Sequence, residues 1–387
     1  MPAPLAGLRI LDLSRLLPGP YGTELLAGMG AEVIKVESPQ GGDYLRSTPP
    51  FVDGQSAHFL ALNHGKRSLA VDLKQPAGLA AFLRLVPTAD ALLEGFRPGT
   101  AQRLGVGYDA VHAIQPRLVY CSLSGYGQNG PYRDRAGHDI NYIALAGLLG
   151  LSGEANGPPA IPPTQIADLS GGMMAALAIL AGVMSARATG QGRYVDVSML
   201  DMAVSWAGAH ALPCQQASGK APGRQGLLLT GQTPCYNVYQ TGDGGYMSLG
   251  AIEPQFWRAF CAAVGRPDLL TRQFDPRAIQ EVRALFLTRT RQAWQSLLAG
   301  VDCCCEPVLT LDEALAGAQV QARGLLQPMP GAEGYLAVRS PVVMEGMDSG
   351  SARPAPRLGQ DTRDLLRQVG YGSDEIQTLA DAGVVAV

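Results

Sequence analysis

Leu8-Arg9-Ile10-Leu11-Asp12-Leu13, the turn Leu17-Pro18-Gly19-Pro20, a helically spaced run over 21–29 that stops at Gly30, and Ala31-Glu32-Val33-Ile34-Lys35-Val36-Glu37 decide the fold. Two short apolar runs rich in branched residues read as strands, and the segment between them has the 3.6-residue spacing of a helix. Strand, turn, helix and strand within about 30 residues form a βαβ unit, which requires a right-handed crossover and a parallel sheet. The turn Pro18-Gly19-Pro20 does not match the glycine fingerprint of dinucleotide-binding proteins, so the expectation is Rossmann-like architecture alone.

Working outward, the same alternation continues. Residues 38–58, rich in Gly, Pro and Ser, read as a long surface loop. Strands follow at 67–73, 91–95 and 118–123, with helices at 77–85, 100–104 and 108–114. This predicts an open, doubly wound parallel sheet whose ligands bind beyond the carboxyl ends of its strands. Those ends carry Arg15, Ser38, Lys74, Gly95-Phe96-Arg97-Pro98, Arg103, Gly125-Tyr126-Gly127 and Arg133-Asp134-Arg135. Each basic residue taken singly reads equally as a solvated surface charge, but several at one sheet edge suit a phosphate-bearing ligand.

With 387 residues, 47% of them hydrophobic, the chain can bury more than one core. A strand at 194–198 leads into a helix at 200–212, and Gly- and Gln-rich residues 213–233 read as a linker. A hairpin at 236–249 and helices at 255–264, 279–290 and 290–298 make a smaller α+β lobe, and strands at 336–338 and 341–344 precede two closing helices at 363–369 and 373–382. The expected organisation is a large domain over 1–212, the linker 213–233, a small domain over 234–334, and a return to the large domain over 335–387. A net charge of −3 excludes a general nucleic-acid binder, which needs a basic face. The N-terminus lacks the charged lead and apolar stretch of a secretory signal, so a cytoplasmic location is expected. Seven cysteines, three of them consecutive at Cys303-Cys304-Cys305, have no disulfide or zinc spacing and are expected to be reduced, with no metal. Residues 169–184 are apolar but shorter than the roughly 20 residues of a membrane span and carry three glycines, so a buried core helix is expected and no membrane partner.

The chemistry is expected between Ala136 and Asp168. His138 and Asp168 each stand where a turn gives way to an apolar helical run, with Asp168 opening a helix over 169–187. On residue type alone His138 also fits a helix-flanking or core histidine, and Asp168 an N-cap. Burial raises the pKa of an aspartate so placed and the helix dipole lowers it, and the sequence leaves that balance open.

Over nearly its whole length the chain resembles the family III coenzyme A transferases, the CaiB/BaiF group. The resemblance rests on an ordered set: residues 5–13, Gly30-Ala31-Glu32-Val33-Ile34-Lys35-Val36-Glu37, Asn63-His64-Gly65-Lys66-Arg67-Ser68, Phe96-Arg97-Pro98-Gly99 and Leu123-Ser124-Gly125-Tyr126-Gly127. It implies an interlocked homodimer, an acyl-CoA substrate with no further cofactor, and a functional aspartate at Asp168. Gly137-His138-Asp139-Ile140-Asn141-Tyr142 is similar to the signature of the α-methylacyl-CoA racemases within that family. That similarity implies His138 and Asp168 as the two catalytic bases, Asp139 as their support and Glu253 as the partner of the histidine. In transferases of the formyl-CoA type, by contrast, the histidine is missing and a glycine run closes over the aspartate, which Gly244-Gly245 is too short to match. For the CoA portion the resemblance implies contacts from Arg15, Leu17, Leu73, Lys74, Gly95, Phe96, Arg103 and Arg133, while Ser38 replaces an arginine common in relatives.

Such residues suit removal of the weakly acidic hydrogen beside a thioester carbonyl. A base takes the proton, an acid on the opposite face returns one, and amide groups at the start of the Asp168 helix are candidates to hold the enolate oxygen. Three functions follow: a racemase or epimerase of 2-methyl-branched acyl-CoA thioesters, a CoA transferase with Asp168 as nucleophile, and a CoA-binding protein without catalysis.

Overall fold

The sheet is parallel, and its strands are buried on both faces except toward the Tyr194–Ser198 edge. Arg9–Asp12 (β1), Glu32–Glu37 (β2), Arg67–Val71 (β3), Ala91–Glu94 (β4), Val119–Ser124 (β5) and Tyr194–Ser198 (β6) pair in the order 3-2-1-4-5-6. β3 to β5 are buried at every position, as expected when helices cover both faces. The closing strand Val385–Ala386 pairs antiparallel with β3 at the sheet edge. The computed structural model describes residues 2–345 and 353–387. The mixed α/β class with a large parallel sheet expected from the sequence is thus present, and the strand order reverses between β1 and β4.

Helix Pro18–Gly28 (α1) begins at Pro18, so the expected turn Pro18-Gly19-Pro20 is the helix's first turn. Proline suits that position because its missing N–H has no intrahelical partner there. The loop expected at 38–58 is more ordered than read: a short hairpin, Phe51–Val52 with Gln55–Ser56, feeds helix Ala57–Asn63, whose cap is Ser56 Oγ accepting the Phe59 N–H. The strand expected at 341–344 does not form, and Pro341 opens it without an N–H to donate.

Helix Ile166–Thr189 (α2) starts three residues earlier than expected and runs for 24 residues. Among the described residues it is the one helix long and apolar enough to cross a membrane, which corrects the expectation that this segment is too short. Half of its most apolar window is buried within the chain. Its glycines explain that burial: a Cβ on Gly172 would lie 2.2 Å from the Pro18 carbonyl oxygen, one on Gly22 2.3 Å from that of Gly172, and one on Gly182 2.7 Å from Val119. α1 and α2 therefore meet at backbone distance and α2 packs directly on the Val119 side chain of β5, which brings the start of α2 beside the start of α1.

By contacts the chain divides into two units. The first comprises residues up to Ala146, Pro163–Ser205 and Gln319–Val387; the second comprises Gly147–Pro162 and Trp206–Ala318. The boundaries differ from 1–212, 213–233, 234–334 and 335–387 in three places. Helix Met199–Ser218 runs through Pro213 into the expected linker. Residues 319–334 join the first unit, because Leu326–Pro328 pairs with Leu336–Val338 and Met329 and Ala332 pack with Phe59 and Leu60. Residues 147–162 join the second, where the Arg224 guanidinium donates to the carbonyls of Gly150, Glu154 and Gly157. Residues 346–352 of the expected C-terminal return lie outside the described residues. The second unit holds the antiparallel sheet Tyr236–Gln240, Tyr246–Gly250 and Cys305–Pro307 over a core built on Trp257, Phe260, Phe286 and Trp294. All seven cysteines are free thiols.

Candidate active site

A cavity of about 630 Å³ opens in the first unit where the strand order reverses. Its walls are the residues after β1 (Leu13–Leu16), after β4 (Gly95–Pro98) and at the end of β5 (Leu123–Tyr126), together with His138 and Asp168. This is the crevice at which open α/β sheets bind ligands, because two neighbouring connections leave on opposite faces and part there.

Buried carboxylates hold three of these walls by backbone N–H groups. Asp12 Oδ1 accepts from the Ser14 N–H at 2.9 Å and from the Ser14 hydroxyl, Asp43 from Leu16 at 3.1 and 3.2 Å, and Glu94 from Phe96 at 2.7 Å. Asp139 does the same for the fourth wall: its Oδ1 accepts from Ala167 at 2.6 Å and from Asp168 at 3.1 Å. Asp168 is therefore not the N-cap that its residue type allowed. It sits in the first turn of α2, which is capped across the fold by Asp139 while Gln165 at the cap position uses no side-chain bond. This external cap explains why the helix begins before Asp168. The Ala167 and Asp168 amides, two of those expected as candidates to hold an enolate oxygen, are engaged by Asp139.

His138 immediately precedes helix Asp139–Leu145 (α3), with its N–H donating to Asn141 Oδ1 at 3.0 Å and its side chain exposed to the cavity. The Tyr142 hydroxyl donates to the Gly137 carbonyl at 2.7 Å, and its ring meets Tyr126 edge-on at 5.1 Å. Glycine is required opposite these rings: a Cβ on Gly125 would come within 2.5 Å of the Tyr142 oxygen, and one on Gly137 within 2.7 Å of the Tyr126 oxygen. Burial, and secondarily the Asp168 charge, pushes the Tyr142 hydroxyl up to about 12, so it remains a donor.

Asp168 answers the balance left open by the sequence. Burial, reinforced by the adjacent Asp139 carboxylate, raises it to about 7, so desolvation outweighs the helix dipole. A carboxyl group of that pKa exchanges protons readily near neutral pH, which is what general acid–base chemistry requires.

Arg15, Gly95, Phe96 and Arg133 line the cavity as expected for a CoA site, and so do Arg97 and Arg135. The Arg15 guanidinium sits 5.4 Å from the Tyr44 ring centre and 5.6 Å from that of Phe96. Arg103 does not line the cavity, but its guanidinium approaches Gly99 at 3.3 Å from the position of an added Cβ, with Arg133 at 3.8 Å from the same point. Among the described residues none of these arginines is ion-paired, whereas Arg9, Arg46 and Arg67 of the same unit are. Unpaired guanidinium groups around one cavity are the donor set for phosphates.

Leu17, Leu73 and Lys74 do not line the cavity. The Leu17 carbonyl starts α1 by accepting from Tyr21 at 3.0 Å. Leu73 packs on the core and Lys74 is exposed beyond β3, which stands two strands from β1, roughly 10 Å away. Ser38 is tied to Gln40 instead of facing the cavity. Glu253 lies in the second unit, exposed at the N-terminus of helix Pro254–Ala263. Among the described residues no group of three or more His, Cys, Asp or Glu side chains is placed to hold a metal ion.

Comparison with known proteins identifies the family. Residues 5–362 match the model of CoA-transferase family III. Succinyl-CoA:glutarate CoA-transferase from Mus musculus is 34% identical, covering 99% of this chain and 90% of its own length. Alpha-methylacyl-CoA racemase from Homo sapiens is 33% identical, covering 97% and 96%. A solved CAIB/BAIF family protein from Brucella suis superposes with a TM-score of 0.84 at 28% identity, covering 95% of this chain and all of that one. Sheet order, crevice and match along nearly the full length lead to one conclusion: the chain belongs to the family III CoA transferases, whose named members include both transferases and racemases.

Proposed function

We propose that the chain is a racemase or epimerase of 2-methyl-branched acyl-CoA thioesters, working by proton transfer between His138 and Asp168 through an enolate. The observation that carries this reading is one cavity holding both side chains, with Asp168 poised near pH 7 by burial and by Asp139. One group removes the α-proton from one face and the other returns a proton to the opposite face, and the roles reverse for the other enantiomer. The unpaired arginines and the aromatic faces of Tyr44 and Phe96 supply binding for the phosphates and adenine of CoA. No resident cofactor is needed, since CoA enters as part of the substrate. Met173, Leu177 and Met184, exposed apolar residues at helical spacing along α2, support assembly as a homodimer.

The transferase reading is supported by the mouse transferase, 34% identical against 33% for the human racemase. In it the Asp168 carboxylate attacks the thioester carbonyl and expels CoA thiolate to give a mixed anhydride; the thiolate then attacks the aspartyl carbonyl, expelling the substrate's acyl group as a carboxylate and leaving an aspartyl-CoA thioester. A single enantiomer of a 2-methylacyl-CoA incubated in heavy water without acceptor acid decides. Deuterium at the α-carbon, lost in His138→Ala, supports the racemase. Absence of exchange, with CoA passing to an added carboxylate in wild type and His138→Ala alike, assigns the transferase.

A further inference from the structure

The backbone around Arg15 is held in an unusual way. Leu16, with φ of +62°, adopts the left-handed conformation that a branched side chain resists. Its N–H donates to both oxygens of Asp43, at 3.1 and 3.2 Å. Asp43 is fully buried and paired at 2.8 Å with the equally buried Lys35 ammonium, which also donates to the Ser14 carbonyl at 3.1 Å. One buried pair therefore grips the chain on either side of Arg15. The next residue, Tyr44, supplies the ring beneath the guanidinium and a hydroxyl that accepts from Arg15 Nη1 at 3.3 Å. Among the described residues Arg15 has no carboxylate partner of its own, and it lines the cavity. Buried ion pairs are weak sources of stability compared with apolar packing, and fixing one geometry among several is their better-attested use.

We infer that the Lys35–Asp43 pair is a positioning device for ligand binding. It sets the left-handed Leu16 turn and so aims Arg15 at the phosphates of a CoA thioester, acting on affinity and not on proton transfer. The inference rests on the acyl-CoA reading of the cavity. Asp43 and Lys35 touch no ligand in this scheme, and Arg15 is the group through which they act.

The test measures binding of free CoA by calorimetry, and KM and kcat for the acyl-CoA, in the full-length protein. Asp43→Asn should weaken CoA binding about 10-fold and raise KM by a similar factor, with a much smaller change in kcat. Arg15→Ala should do the same, and Arg15→Ala/Asp43→Asn should bind no worse than Arg15→Ala alone, because the pair works through Arg15. Additive losses, or unchanged affinity in folded Asp43→Asn, overturn the proposal. If Asp43→Asn does not fold, Lys35→Gln, which removes the charge of the other partner, decides: it should weaken CoA binding several-fold with little change in kcat, and unchanged binding overturns the proposal. Wild-type protein that binds no CoA overturns the acyl-CoA reading itself, whereas wild type that binds while Asp43→Asn binds equally removes only the positioning role.

Discussion

Asp12, fully buried, and Asp168, half-buried, are two aspartates of the same unit, and they behave oppositely. Burial pushes both carboxyl groups up. At Asp12 the ammoniums of Lys66 and Lys35 and the hydroxyls of Ser14 and Thr23 more than offset it, leaving the group below its usual range. At Asp168 the nearest charge is another carboxylate, and the group rises to about 7. The difference lies in the partners supplied, because the deeper of the two, Asp12, is the one that is lowered. Where a buried acid must hold a turn, the fold surrounds it with donors; where it must trade a proton, the fold withholds them.

Removing the partnered acid should have the largest effect. Asp12→Ala leaves Lys66, fully buried 3.3 Å away, without its counter-charge, and should cost about 3–5 kcal/mol. Urea unfolding measures this, and a loss under 1 kcal/mol breaks the comparison. Asp168→Asn should do the reverse. The folded-state pKa is raised from 3.8 to about 7, so the wild-type side chain is tolerated in full below pH 4 and its stability is lost as pH rises through 7. The variant should match wild type near pH 4 and exceed it by about 2 kcal/mol at pH 8, a figure already reduced because solvent reaches this half-buried group. The same variant should lose isotope exchange by at least about 1000-fold, so stability and activity should separate in opposite directions.

Glu24 is the intermediate case. Burial raises it to about 7 and only Lys66 opposes, while His64, 3.3 Å away, is driven down to about 4 by burial and by Lys66. The distance is that of an ion pair, but Glu24 Oε1 has no hydrogen-bond partner, and both groups are neutral between those values. Glu24→Gln should therefore be silent near pH 4 and stabilise by about 1 kcal/mol at pH 8, read from melting curves at the two pH values. Loss of stability at pH 8 instead contradicts the assignment. The smallest expected change in stability belongs to Asp139→Asn, since an amide oxygen can still accept from Ala167 and Asp168. Removing its charge should lower the Asp168 pKa, so the acidic limb of the exchange rate should move below pH 7. An unmoved limb means that Asp139 acts on Asp168 through geometry alone.

Much of the site was legible in the residues. Turn chemistry before two apolar runs located His138 and Asp168, and basic residues after strands marked Arg15 and Arg133. Arg97 and Arg135 stood in quoted sheet-edge segments, and only the cavity distinguished them from solvated charges. The family resemblance draws in Leu17, Leu73 and Lys74; Leu73 and Lys74 stand off the cavity wall because β3 lies too far from the crevice, and Leu17 because it is the cap residue of α1. Short helices such as Ala57–Asn63 escaped because seven residues make barely two turns of periodicity beneath a Gly- and Pro-rich composition.

The sequence by itself determined the parallel α/β architecture, since runs apolar on both faces can only be interior strands and the helices between them can only cross over one way. It also determined the family, through motifs spread along the chain. Tertiary structure alone decided the protonation of Asp168, the start of its helix and the aim of Arg15. Each depends on a carboxylate distant in sequence, Asp139 or Asp43, and the field at a buried group is set by which charges folding brings beside it.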